Sequence, residues 1–364
     1  MKTIDMKIKQ QCDRNSLQES VAGRQDNRAG HFSGEQSSTH YHLILSLCLT
    51  IALLAMPANA VVNVLVGSTE SHSIEKFSNS GVWMKTFAST GPWTPFGIAV
   101  SPVTHDVFAA TNTGPTSNII LRYNSSGAPL GAGGNLWSTF DVYPYLANNS
   151  VLSIVFDASG NLYVASNIGT GGYQVVILTF PAAQLLRRAP VPNPAPIITT
   201  AGRGDQMAFD VSGNICIASF AAPNTVQCYN PTSGALTHDY ALEIQSAGIQ
   251  PVGLYFGPKN NLTVSSVFTG QVWVEAVAQV GPMNLLASGM INDVGFLTVD
   301  SSGMLYLPSF HNPEGRYLGC SYYSCVDYDT SSDIVYKIDP SSGAVTTFIS
   351  SHLWGPYQMI FVPF

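Results

Sequence analysis

A short strand phrase returns six times along the chain. It reads VLVGS at 64–68, VFAAT at 107–111, LYVAS at 162–166, ICIAS at 215–219, LTVSS at 262–266 and LYLPS at 305–309. Each copy is an apolar, β-branched or aromatic run that ends in small residues. Five copies follow a second apolar strand and a tight polar turn; the first stands alone. Repetition at roughly 40–55 residues constrains a chain to a propeller or a solenoid before any other fold.

The rest of each unit can be read around that phrase. Ser153–Phe156 forms an inner strand, Asp157-Ala158-Ser159-Gly160 a turn, Asn161–Ser166 the second strand and Tyr173–Phe180 the third. The same order recurs from Ile98, Met207, Leu254 and Leu297. Several third strands run through a polar turn toward an outer strand: NSSG at 124–127, NPTSG at 230–234, DPSSG at 339–343. The two chain ends are complementary. The C-terminus stops after an inner strand, Gln358-Met359-Ile360-Phe361, and the first unit lacks one. Pairing Leu65 with the strand around Phe361 would complete one blade and close a ring. The sequence therefore predicts an all-β, six-bladed β-propeller over 61–364, closed by pairing N- and C-terminal strands in one blade. Seven blades remain open if 181–200 or 308–333 holds another.

Residues 1–60 read differently. Residues 1–42 are polar, and Leu43–Met56 is a continuous apolar run ending at Pro57-Ala58-Asn59-Ala60. Fourteen helical residues reach about 21 Å, short of a bilayer core of about 30 Å. The run suits the apolar region of a secretory signal with an A-x-A site, making Val61 the first mature residue. The long polar leader leaves the alternative of an uncleaved anchor, the one route to a membrane. Residues 1–60 hold six of the 15 Lys/Arg and five of the 22 Asp/Glu, so 61–364 carries nine against seventeen. The formal net charge is −7, and a nucleic-acid partner is not expected.

The cysteines agree with export to an extracellular or periplasmic compartment. Cys12 and Cys48 fall in the leader. Cys216 and Cys228 flank a predicted hairpin and should be cross-strand neighbours, within disulfide reach. Cys320 and Cys325 bracket a short loop. Two local disulfides are expected, with four free thiols as the other reading. Asn124, Asn148 and Asn261 head N-x-S/T sequons.

The phrases Pro95-Phe96-Gly97-Ile98-Ala99-Val100, Gly160-Asn161-Leu162-Tyr163-Val164-Ala165 and Ile74-Glu75-Lys76-Phe77 resemble those of NHL-repeat and gluconolactonase (SMP-30)-like six-bladed propellers. The resemblance covers nearly all of 61–364 and implies ligands at the face where inner strands begin. There the polar residues are Asp205, Gln206, Asn292, Asp293 and Gln358. Gluconolactonase-like enzymes, as the resemblance implies, hold a divalent metal near the channel through a Glu, Asn residues and an Asp. No Glu enters an inner strand here.

The longest insertion, 308–333, should overhang the channel mouth. It carries His311, Glu314, Arg316 and the run Asp327-Tyr328-Asp329-Thr330-Ser331-Ser332-Asp333. Asp327, Asp329 and Asp333 space oxygens as a calcium loop begins, but Ser332 replaces its glycine and Ile338 its closing Glu. Either it holds Ca2+ or another divalent metal, or it is a solvated acidic loop; no cofactor is certain. Two functions stay open. The first is a secreted binding or scaffold module for a small molecule, glycan or protein. The second is a metal-dependent hydrolase or lactonase using Asp205, Asn292 and Asp293, with a weaker third reading as an enzyme using the His311 loop.

Overall fold

The computed structural model describes residues 62–112, 119–130, 138–141, 150–168, 174–186, 196–201, 204–219, 224–276, 281–290, 293–310 and 333–364. All lie within the unit Asn59–Phe364. They form six four-stranded antiparallel sheets. Blade 1 is β1 (Asn63–Ser68), β2 (Ser73–Phe77) and β3 (Trp83–Ser89), with β24 (Pro356–Val362) inside. Blade 2 is β4 (Thr94–Val100), β5 (Val107–Asn112), β6 (Ile119–Tyr123) and β7 (Ser138–Asp141). Blade 3 is β8 (Ser150–Phe156), β9 (Leu162–Ile168), β10 (Gln174–Phe180) and β11 (Pro196–Ala201), with helix α1 (Ala182–Leu186) before β11. Blade 4 is β12 (Met207–Phe209), β13 (Ile215–Ser219), β14 (Thr225–Tyr229) and β15 (Leu236–Asp239), followed by α2 (Ala241–Ser246). Blade 5 is β16 (Pro251–Phe256), β17 (Leu262–Ser266), β18 (Gln271–Glu275) and β19 (Met283–Ala287). Blade 6 is β20 (Thr298–Val299), β21 (Leu305–Ser309), β22 (Ile334–Ile338) and β23 (Val345–Ile349).

The ring closes as the ends require. Val64 pairs with Phe361, Leu65 with Ile360 and Val66 with Met359. The stretch 181–200 supplies α1 and the outer strand of blade 3 rather than a seventh blade.

The returning phrase is the second strand of each blade. It reads as an unbroken apolar run because each sheet packs on two neighbours, burying both faces of that strand. Every residue of β1, β13, β17 and β21 is buried. Leu65 and Ile74 pack toward Ile98 and Ala109 of blade 2, while Val64, Val66 and Phe77 pack toward Tyr306 and Val335 of blade 6. The outer strands are exposed: β15 buries none of its four residues.

Turns on the far face repeat one device. The Oδ1 of Asp157 accepts from the amides of Ser159 (2.9 Å) and Asn161 (2.8 Å), and Asp210 does the same for Ser212 and Asn214. At Asp300 burial opposes the charge, but hydrogen bonds from Ser302, Met304 and Tyr306 hold the carboxyl below its ordinary value. These side chains replace the backbone partners that a tight turn lacks.

A second device joins neighbours. The turn glycine before an outer strand abuts the outer strand of the preceding blade. A Cβ on Gly127 (φ 89°) would lie 1.9 Å from the Phe87 carbonyl oxygen, and one on Gly343 2.1 Å from that of Leu286. Gly213 (φ 81°) has the same backbone hand with nothing within 4 Å. Gly127→Ala should therefore cost about 2 kcal/mol or more, because strain and overlap combine. Gly213→Ala should cost only about 1 kcal/mol. Urea unfolding of the two variants checks the difference.

Cys216 lies directly opposite Cys228 in the β13–β14 ladder, and the two form a disulfide. Both are buried at the interface between blades 4 and 5. Closing a 12-residue separation constrains the unfolded chain, so removing the bridge as Cys216→Ala with Cys228→Ala should lower stability by about 3 kcal/mol. Denaturant midpoints of the two proteins measure this. Cys320, Cys325, Cys12, Cys48 and Asn148 lie outside the described residues.

Candidate functional site

The inner strands begin at one end of the axis, and what they deliver there is mostly apolar. Phe96 of β4, Leu152 of β8, Val252 of β16 and Tyr357 of β24 join Val294 and Phe296 ahead of β20 in one buried cluster. Five blades thus converge on a single apolar core. Its centre is aromatic. Tyr357 meets Phe96 edge-on at 5.0 Å and Phe296 edge-on at 4.9 Å, with Phe310 at 5.8 Å. Edge-on contact sets the positive rim of one ring against the negative face of the next. Phe296 is fully buried, so this end of the axis is plugged.

Blade 4 delivers Asp205 and Gln206 instead. The Gln206 Oε1 accepts from the amides of Leu254 in blade 5 (2.9 Å) and Leu297 in blade 6 (2.8 Å). Its Nε2 donates to the Leu297 carbonyl at 2.8 Å. One side chain thereby ties three blades. Gln358 plays a similar part, its Oε1 accepting from the Ile98 amide at 2.6 Å. Ser153 Oγ accepts from Met207 N at 2.9 Å, Ser265 Oγ donates to the Gly295 carbonyl at 3.2 Å, and Thr298 Oγ1 donates to the Met359 carbonyl. Backbones also touch directly: Gln206 N donates to Val252 O, and Phe296 N to Tyr357 O. The repeat glycines permit this approach. A Cβ on Gly97 would lie 2.7 Å from the Leu152 carbonyl oxygen and one on Gly295 2.1 Å from that of Tyr357.

The remaining candidates fall around this plug. Asp205 is fully buried, with its amide donating to Ala218 O at 2.9 Å. Asp293 is buried with φ 64°, and its carbonyl accepts from Phe310 N at 3.1 Å. The Asp333 Oδ2 accepts from Gly355 N at 2.7 Å, fastening the start of β22 to the chain returning into β24. Asn292, His311, Asp327 and Asp329 lie outside the described residues. The structure thus brings Gln206 and Gln358 into the axial stitching and sets Asp333 just ahead of β22, bonded to Gly355. The aromatic plug was not singled out from the sequence, although Phe96 and Tyr357 occupy one repeat position, which is the signal that finds it.

A divalent metal at this mouth would draw on Asp205 and Asp293. Calcium takes six to eight oxygens. Among the described residues, no three His, Cys, Asp or Glu side chains are grouped to hold a metal ion. The described donors alone do not fit such a centre.

No protein-family model matches the sequence, and no curated protein matches it. Solved structures do. A nidogen/laminin complex contains a chain with TM-score 0.58 and 14% identity, covering 83% of this chain and 98% of that one. A protein of unknown function from Bacteroides caccae gives TM-score 0.56 at 14% identity, over 83% and 99%. A putative 6-phosphogluconolactonase from Bacteroides fragilis gives 0.51 at 12%, over 84% and 99%. This chain is a six-bladed β-propeller. At such identities the likeness shows the fold alone.

Gln206→Leu should lower stability by about 3 kcal/mol, because two buried amides and a carbonyl lose their partner. Chemical denaturation measures this; a change below about 0.5 kcal/mol would contradict the strut role.

Proposed function

We infer that the chain is a binding or scaffold propeller whose ring presents surrounding loops to a small molecule, glycan or protein. The supporting observation is that five of six blades send buried apolar side chains to the axial mouth, where a metal-dependent lactonase would need oxygen donors. A rigid ring with a filled axis displays loops at fixed spacing without an ordering cost on binding. In the lactonase reading, Asp205, Asn292 and Asp293 would hold a metal that polarises a carbonyl. That reading needs oxygens from beyond the described residues.

Metal analysis of the purified protein separates the readings. The binding module should carry no stoichiometric divalent metal and show no chelator-sensitive hydrolysis of aldonolactones or aryl esters. Stoichiometric metal lost on Asp293→Ala would overturn it.

The same reading places the mature protein outside the cytoplasm. A buried disulfide in blade 4 and the apolar run before Ala60 support this. Among the described residues, no helix is long and apolar enough to cross a membrane. N-terminal sequencing of exported protein should begin at Val61; an intact leader would favour the anchor.

A further inference from the structure

The outer seam between blades 6 and 1 carries aromatic rings that the cores do not take up. Gly81 (φ 80°), in the turn before β3, abuts β23: a Cβ there would lie 2.3 Å from the Phe348 carbonyl oxygen. That close approach brings Trp83 beside the chain leaving blade 6. The Trp83 and His352 rings stack with centroids 4.5 Å apart and planes 12° from parallel. Trp354 meets His352 edge-on at 6.4 Å. Leu353, between them in sequence, is buried with Phe77 in the core of blades 6 and 1 and anchors both neighbours. Trp83 stays 37% exposed, His352 is exposed and Trp354 is half-buried.

Three devices fix the indole. The β2–β3 register slips at Met84, with Phe77 facing Trp83 and Lys76 facing Lys85. Such a bulge re-aims side chains, and here Trp83 and Thr86 both reach Glu75. Trp83 Nε1 donates to Glu75 Oε2 at 3.0 Å, and Thr86 Oγ1 donates to the same oxygen at 3.1 Å. Glu75 is buried, and Ser73 Oγ donates to its Oε1 at 2.7 Å. This carboxylate is therefore filled by donors and grips the indole by its N–H. His352, on a left-handed backbone with φ 58°, lies on the indole face. Such a backbone in a non-glycine residue persists only where the surroundings enforce it.

Burial alone does not require a partly exposed indole to be fixed. Fixing it lowers the ordering cost of stacking a ligand on it. The rim names the class of ligand. Aromatic faces are negative and attract C–H groups of positive character. Val82 and Met84 add exposed apolar surface, at 63% and 50%. Beside the rings, Ser351 Oγ lies 3.3 Å from His352 Nδ1, and His352 Nε2 has no partner among the described residues. Charge is turned away: Glu75 is engaged inside, and Lys85 stands opposite Lys76, whose Nζ sits over Phe364 on the other face. A neutral ring with a C–H face and a hydroxyl edge fits these groups. We propose, resting on and deepening the binding reading above, that this corner binds a saccharide. One pyranose lies with its C–H face on the exposed aromatic surface of Trp83 and His352, and its hydroxyls meet Ser351 and the His352 ring nitrogens.

The test titrates the full chain with neutral disaccharides of glucose, galactose, mannose or N-acetylglucosamine. Sorbitol, an open-chain polyol, and n-butanol serve as controls. Calorimetry gives the affinity, and magnetic saturation transfer from protein to sugar protons shows which face is held. At least one disaccharide should bind saturably, with transfer strongest at ring C–H protons. Its binding should weaken at least about tenfold in both Trp83→Ala and His352→Ala. If Trp83→Ala does not fold, His352→Ala, in an exposed bend, decides alone. No saturable binding, equal binding of sorbitol or butanol, or a folded variant that binds as the parent does would each overturn the proposal. None of these outcomes touches the wider reading, which metal analysis decides.

Discussion

The structure depends on the pairing of β24 with β1. A four-stranded sheet of short strands cannot bury its two faces alone. Each blade here is stable because it is sandwiched, and sandwiching on both sides is possible for all six only if the row closes. Six mixed cores result: five are each shared by two neighbouring blades, among them the one joining blade 6 to blade 1, and the core between blades 5 and 6 runs on into the axial mouth. The β24–β1 ladder hydrogen-bonds the last strand of the propeller to its first within blade 1, so opening the ring requires splitting a sheet. Closure also leaves only outer strands as edges.

Closure has a consequence at the axis. With inner strands drawn within backbone hydrogen-bond distance, residues there must be glycine, a short hydroxyl, or a side chain that fills space. Gly97 and Gly295 admit neighbouring carbonyls, Ser153, Ser265 and Thr298 bridge blades, and Phe96, Phe296 and Tyr357 fill the mouth. A filled, stitched axis gives stiffness.

Much of the fold was legible because burial on both faces writes itself as an uninterrupted apolar run. ICIAS and LTVSS announce second strands for that reason. LTHD at 236–239 does not announce β15, since an exposed outer strand needs no pattern. Cys216 and Cys228 could be paired because they are local and their register follows from one hairpin. The role of Gln206 could not, because its partners lie 48 and 91 residues away. Its amide reads equally as a ligand group until neighbouring blades are placed. Gly127 is similar: its turn is local, but the carbonyl it must admit belongs to Phe87 in another blade.

The direct test of the closed ring is removal of its last strand. A chain ending at Trp354 lacks β24 and opens the core between blades 6 and 1 that Met359 fills and the core between blades 1 and 2 that Val362 fills. Urea unfolding of this truncated protein, followed by near-ultraviolet circular dichroism, should show loss of the single cooperative transition of the full chain. A cooperative transition with an unchanged midpoint would contradict the account.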